Sequence, residues 1–135
     1  MQKLKFHHIG IATEDIALSQ KEIENHFSVA SVSDTVFDQN QNAYLCMITL
    51  DDGYRMELVQ GEVVRTLVKR QRYLYHTCYT VEDIDEAIGE LLEEGYFQIS
   101  EPKEAVLFHN RKVAFLSGKL GMIELLQSDS AIAKP

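Results

Sequence analysis

The spacing of apolar positions changes period several times along the chain, and each change marks an element. Residues 4–12 alternate and carry β-branched isoleucines, which predicts a strand. Phe6, His8, Gly10 and Ala12 fall on one face of it, Ile9 and Ile11 on the other. Ile16, Ile23 and Phe27 recur at helical spacing and predict a helix over 15–27. A strand is expected around 31–37, followed by the polar loop Asp38-Gln39-Asn40-Gln41-Asn42. Residues 43–50 form an apolar strand, Asp51-Asp52-Gly53 a hairpin turn, and residues 54–60 the returning strand.

The order then starts again. Residues 73–81 read as a strand. Ile84, Ala87, Ile88, Leu91 and Leu92 make a regular amphipathic helix. Asp83 and Glu86 resemble a capping box at its start, and Gly95 ends it. Residues 96–100, 111–117 and 121–127 read as three strands, the last two joined at Gly118-Lys119-Leu120-Gly121. Each half is therefore βαβββ, module 1 over about 4–60 and module 2 over about 73–127. The connector, 61–72, has room for a helical turn or two, and residues 128–135 read as a loose tail. The class is α+β in a single domain.

The halves also repeat in sequence, the sign of a duplicated fold. His8-Ile9-Gly10-Ile11-Ala12-Thr13-Glu14-Asp15-Ile16 lies 68 residues before His76-Thr77-Cys78-Tyr79-Thr80-Val81-Glu82-Asp83-Ile84. Met56-Glu57-Leu58-Val59-Gln60 lies 67 residues before Ile123-Glu124-Leu125-Leu126-Gln127. A lone strand histidine is usually a satisfied polar residue, and a strand glutamate between apolar neighbours can simply face water. Those readings explain each residue singly. They do not explain why a histidine and a glutamate recur together at equivalent places.

Burying a carboxylate without a partner costs several kcal/mol, and a divalent cation removes that cost. Two imidazoles and two carboxylates make a mixed nitrogen and oxygen set, suited to Zn²⁺, Ni²⁺, Co²⁺, Mn²⁺ or Fe²⁺. An octahedral ion held by His8, Glu57, His76 and Glu124 keeps two positions for water or substrate oxygens. A tetrahedral Zn²⁺ would be saturated and structural.

Composition narrows the partners. The net charge of −8 opposes nucleic-acid binding. Arg65, Lys69, Arg70 and Arg72 crowd together, which reads as a solvated helix face and, alternatively, as an anchor for an anionic tail. Arg111, beside Asn110, could clamp a substrate carboxylate or phosphate, or be an exposed strand-start arginine. His26 and His109 fit no repeat and are expected at the surface or core edge. No apolar run approaches the roughly 20 residues a membrane span needs. The N-terminal segment has no secretory pattern. Cys46 and Cys78 lack paired spacing, so a reducing cytoplasm is expected.

The paired βαβββ halves, His8 in His-Ile-Gly-Ile and Glu124 in Ile-Glu-Leu-Leu resemble the vicinal oxygen chelate superfamily over roughly residues 4–127. That superfamily contains glyoxalase I, methylmalonyl-CoA epimerase, extradiol dioxygenases and the fosfomycin and bleomycin resistance proteins. The resemblance implies a curved, cup-shaped mixed sheet with His8, Glu57, His76 and Glu124 as metal ligands. A His/Glu/His/Glu set is similar to that of bacterial-type glyoxalase I enzymes, which implies Ni²⁺ or Co²⁺. Epimerases use a closely similar set.

Both reactions move a proton beside a metal-polarised carbonyl or its enediolate. Glu124 is the expected base and Glu57 its partner. The phrasing around His8 and Glu124 leans toward the epimerases. Against that, epimerases carry a second glutamate in the strand before Glu57, near Leu45 by hairpin counting, and no acid stands there. A glyoxalase I-like lyase or isomerase acting on a small thioester or hemithioacetal is the preferred reading. The alternatives are an epimerase and a non-catalytic, resistance-type binder. The resemblance also implies a homodimer, since open cups leave strand edges to cover.

Overall fold

The computed structural model describes residues 2–129; the expected tail beyond Asp129 lies outside the described residues. The chain divides into two compact units. One is His8–Tyr75, the other the residues up to His7 together with the chain from His76 onward.

In the His8–Tyr75 unit, β1 (Lys5–Ala12, entering the unit at His8) leads to α1 (Ile16–His26). Then come β2 (Val29–Val32), β3 (Val36–Asp38), β4 (Ala43–Leu50) and β5 (Arg55–Gly61). The strand order is β2-β4-β5-β1, with β3 also on β4. β1 and β5 run parallel, while β5–β4 and β4–β2 run antiparallel. α1 starts where the Asp15 side chain accepts from Leu18 N, satisfying a helix-start N–H. It ends at Phe27, whose N–H still reaches Ile23 O. Ile16 and Ile23 pack against Cys46, Ile48, Leu50 and Leu58. A 3₁₀ turn (Glu62–Val64) and α2 (Arg65–Lys69) fill the connector, the one or two turns its length predicts.

The other unit repeats this with β6 (Leu74–Val81, entering at His76), α3 (Ile84–Glu93), β7 (Phe97–Gln98), β8 (Lys103–Ala105), β9 (Arg111–Gly118) and β10 (Gly121–Gln127). The order is β7-β9-β10-β6, with β8 also on β9 and β6 parallel to β10. The Asp83 side chain accepts from Glu86 N, as the capping pattern predicts, and Gly95 takes a φ of 97° where α3 stops. Ile84, Ala87, Ile88 and Leu91 bury against Val81, Ala114, Leu116, Ile123 and Leu125. Each of the three large aliphatics contributes roughly 1.5–3 kcal/mol by burial.

Three details differ from the pattern-based expectation. The strand expected at 31–37 is two short strands. Ser33 interrupts them, its Oγ accepting from Met47 N at 2.8 Å and its carbonyl from Cys46 Sγ at 3.5 Å. The strand expected at 96–100 stops at Gln98, because Ile99 N and Ser100 N both turn to Phe115 O, at 2.8 and 3.2 Å. β8 and the 3₁₀ turn Val106–Phe108 fall in a stretch without alternation and were not expected. No helix among the described residues is long and apolar enough to cross a membrane.

Candidate functional site

His8 sits mid-way along β1, and Glu57 is carried by the parallel neighbour β5, where it stands opposite Gly10. Ladder neighbours two residues apart share a face, so His8 and Glu57 point the same way. His8 Nε2 lies 3.4 Å from Glu57 Oε1, and both side chains are essentially fully buried. The other unit has the same arrangement. Glu124 on β10 stands opposite Cys78 of β6, and His76 is two residues before Cys78. His76 Nε2 lies 3.1 Å from Glu124 Oε1, again fully buried. Histidine and glutamate therefore keep one relation in both units: the histidine precedes by two the residue that faces the carboxylate.

Burial decides between the readings each residue allowed alone. Glu57 is 1% exposed and Glu124 0%, so neither faces water. Each carboxylate lies in an apolar strand, Glu57 before Leu58 and Val59, Glu124 between Ile123 and Leu125, all 0% exposed. In such surroundings a charge persists only beside a counter-charge, a hydrogen-bond donor or a cation. An imidazole is one such neighbour. Two imidazoles and two carboxylates, one of each in either unit, fit a divalent transition ion by donor chemistry.

The strands flanking the glutamates complete each surround. Met47 of β4 stands opposite Glu57, and Phe115 of β9 opposite Glu124. The Phe115 ring meets the His76 ring edge-on, with centroids 5.2 Å apart. No acid stands on β4, and the residue facing Glu57 is Met47.

Arg111 begins β9. Its Nε donates to Phe108 O at 3.3 Å and Nη1 to Gln127 O at 3.1 Å, and Nε is 3.2 Å from the Asp129 carboxylate. Asn110 is exposed in a left-handed turn with His109. Arg65, Lys69, Arg70 and Arg72 are exposed, on α2 and just after it, and Arg65 pairs with Glu62 at 3.0 Å. His26 is exposed. Cys46 and Cys78 are buried thiols.

Two residues of this arrangement escaped the site expectation. Gln60 and Gln127 each follow a buried glutamate by three positions and reach the start of a helix, Gln60 Oε1 accepting from Ile16 N at 2.9 Å and Gln127 Oε1 from Ile84 N at 3.0 Å. Both are visible in the repeat as its last matching letter.

No curated protein matches the chain by sequence. Among solved structures, methylmalonyl-CoA epimerase from Mycobacterium tuberculosis is similar at a TM-score of 0.78 and 17% identity, covering 96% of this chain and 92% of that one. The hypothetical protein BH1468 from Bacillus halodurans C-125 gives 0.75 and 21%, covering 94% and 96%. A methylmalonyl-CoA epimerase in complex with methylmalonyl-CoA and NH4+ gives 0.73 and 19%, covering 95% and 96%. At these identities the likeness is one of fold. The sequence profile of the Glyoxalase/Bleomycin resistance protein/Dioxygenase superfamily matches residues 7–115, most of the chain, and the protein belongs to that superfamily.

Proposed function

We propose that His8, Glu57, His76 and Glu124 together hold one divalent cation, Ni²⁺, Co²⁺ or Zn²⁺ before Mn²⁺ or Fe²⁺, and that the protein is a glyoxalase I-like lyase or isomerase. Its substrate is a small thioester or hemithioacetal. The observation that carries this reading is the buried His–Glu pair repeated at one ladder offset in both units. When bound, the cation supplies a Lewis acid that stabilises negative charge developing on a substrate oxygen. Glu124 is the general base, taking a proton from the carbon beside the carbonyl and returning it to the neighbouring carbon. Glu57 is its counterpart from the other half. His8 and His76 hold the two carboxylates in place, and the apolar strands around them keep water from competing for the proton.

A second reading is epimerisation, favoured by structural neighbours that are methylmalonyl-CoA epimerases, one holding its thioester. Inversion requires proton removal on one face and delivery on the other. With Met47 opposite Glu57 and no acid on β4, those two steps fall to Glu57 and Glu124. The isomerase needs only one of them, and we retain it as the first reading.

Elemental analysis of untagged protein, then assay of the Ni²⁺- and Co²⁺-loaded forms, tests both. Methylglyoxal with several thiols is expected to yield 2-hydroxyacyl thioesters. Deuterium uptake from solvent into a methylmalonyl thioester, without that turnover, would select the epimerase. His76→Ala is expected to lower metal occupancy sharply, and unchanged stoichiometry would contradict the site.

A further inference from the structure

The first N–H groups of a helix have no partner within it. In α1 and α3 the N-cap aspartate takes the N–H of the third helical residue, Leu18 or Glu86. The first, that of Ile16 or Ile84, goes to a glutamine from another strand, Gln60 or Gln127. Gln127 also donates from Nε2 to Glu82 O at 2.6 Å. A neutral amide accepts an N–H through its oxygen and donates to a carbonyl through its nitrogen at once.

The place of these bonds is what matters. Ile16 lies eight residues after His8, and Ile84 eight after His76. Each glutamine lies three residues after the glutamate of the same unit. Each amide therefore ties the end of the glutamate strand to the segment into which the histidine strand runs. β1–β5 and β6–β10 are parallel pairs. A slip of one residue moves a strand by about 3.3 Å, whereas metal–ligand distances tolerate only ~0.2 Å.

We propose that Gln60 and Gln127 are positioning residues that fix the separation of imidazole and carboxylate in each pair; the metal consequences rest on the reading above. The test compares Gln127→Met, Gln127→Glu and Asp83→Ala with the parent protein. Asp83→Ala strips a cap from the same helix without touching β10, so it controls for loss of helix stability. Two readouts are used: Co²⁺ affinity with the visible absorption of the Co²⁺ protein, and the ring-proton NMR signals of His76 in metal-free protein. Gln127→Met is expected to bind Co²⁺ about 10–100-fold more weakly, with an altered cobalt spectrum and a displaced His76 signal. Gln127→Glu keeps the acceptor and is expected to recover part of each. Asp83→Ala is expected to lower thermal stability and leave both readouts at parent values. A His76 signal unmoved by Gln127→Met, or moved equally by Asp83→Ala, overturns the positioning role. A parent protein that takes up no Co²⁺, with the His76 signal still displaced by Gln127→Met, overturns the metal reading and leaves positioning standing.

Discussion

Phe115 holds the His76 ring edge-on, the two ring planes 82° apart, from the strand position directly opposite Glu124. One aromatic thus limits the rotation of the histidine and walls the carboxylate that faces it. The ring is 7% exposed, so its removal leaves a hole. Phe115→Ala is expected to cost about 3–5 kcal/mol. Phe115→Leu should cost much less, about 1 kcal/mol, but it loses the flat edge against His76. Thermal unfolding with a Co²⁺ titration checks this: Phe115→Leu is expected to retain most stability and lose metal affinity. Met47, the counterpart opposite Glu57, is expected to tolerate Leu within about 1.5 kcal/mol.

Much of this arrangement was legible in the sequence because duplication writes each constraint twice. His8 and His76, Glu57 and Glu124 stood out by recurring together, and the structure places each histidine beside its own glutamate. The hairpin at Asp51–Gly53 was equally legible, and its closure sets the pairing of Met47 with Glu57. β8 and the 3₁₀ turn before Arg111 had no periodic signal to read, and β7 was cut short by side-chain and main-chain bonds to Phe115. Arg111 shows a further limit. A guanidinium at a strand start looks the same in sequence whether it awaits a substrate or ties down Phe108 O and Gln127 O.

Glu57 and Glu124 occupy equivalent places, so their substitution tests whether the two halves do equal work. Glu124→Gln keeps shape and one acceptor but removes the base. Under the assigned roles it is expected to abolish turnover, by 10²–10⁴-fold or more, while Glu57→Gln should act chiefly on metal affinity. Steady-state kinetics on fully metal-loaded variants separates the two. Equal losses of turnover would show that both carboxylates move protons, the pattern epimerisation requires.

Burial pushes the Cys46 thiol above the ordinary cysteine range, and its hydrogen bonds to Ser33 and Thr35 oppose that only in part. The consequence has a definite sign. A cysteine in the unfolded chain ionises near pH ~8.5, whereas native Cys46 keeps its proton to higher pH. The native state thus binds more protons there, and stability falls as pH rises above about 8.5 until the native thiol also ionises. Below neutrality this group contributes no slope. Denaturant melts between pH 7 and 10 are expected to show a shallower decline for Cys46→Ala than for the parent. Identical slopes would mean that the thiol titrates alike in both states.

Gly61 ends β5 directly after Gln60, with a φ of 151° and Ala43 as its ladder partner. A Cβ there would stand 2.8 Å from Asn42 O and 3.0 Å from Ala43 Cα. Both are backbone atoms of a strand start whose Ala43 is 0% exposed, so neither has room to withdraw. Gly61→Ala thus combines an unfavourable backbone conformation with a collision, and about 1–3 kcal/mol is expected from the conformation alone. Gly53, in the β4–β5 turn at a φ of 91°, has nothing within 4 Å of the same construction. Gly53→Ala therefore carries the conformational cost without the collision. The difference between the two melting temperatures isolates the steric part, and Gly61→Ala is expected to be lower by several degrees. Because Gly61 abuts the glutamine bound to Ile16 N, its variant should also weaken Co²⁺ binding where Gly53→Ala does not. Equal melting temperatures would mean that the β4–β5 ladder yields at Ala43.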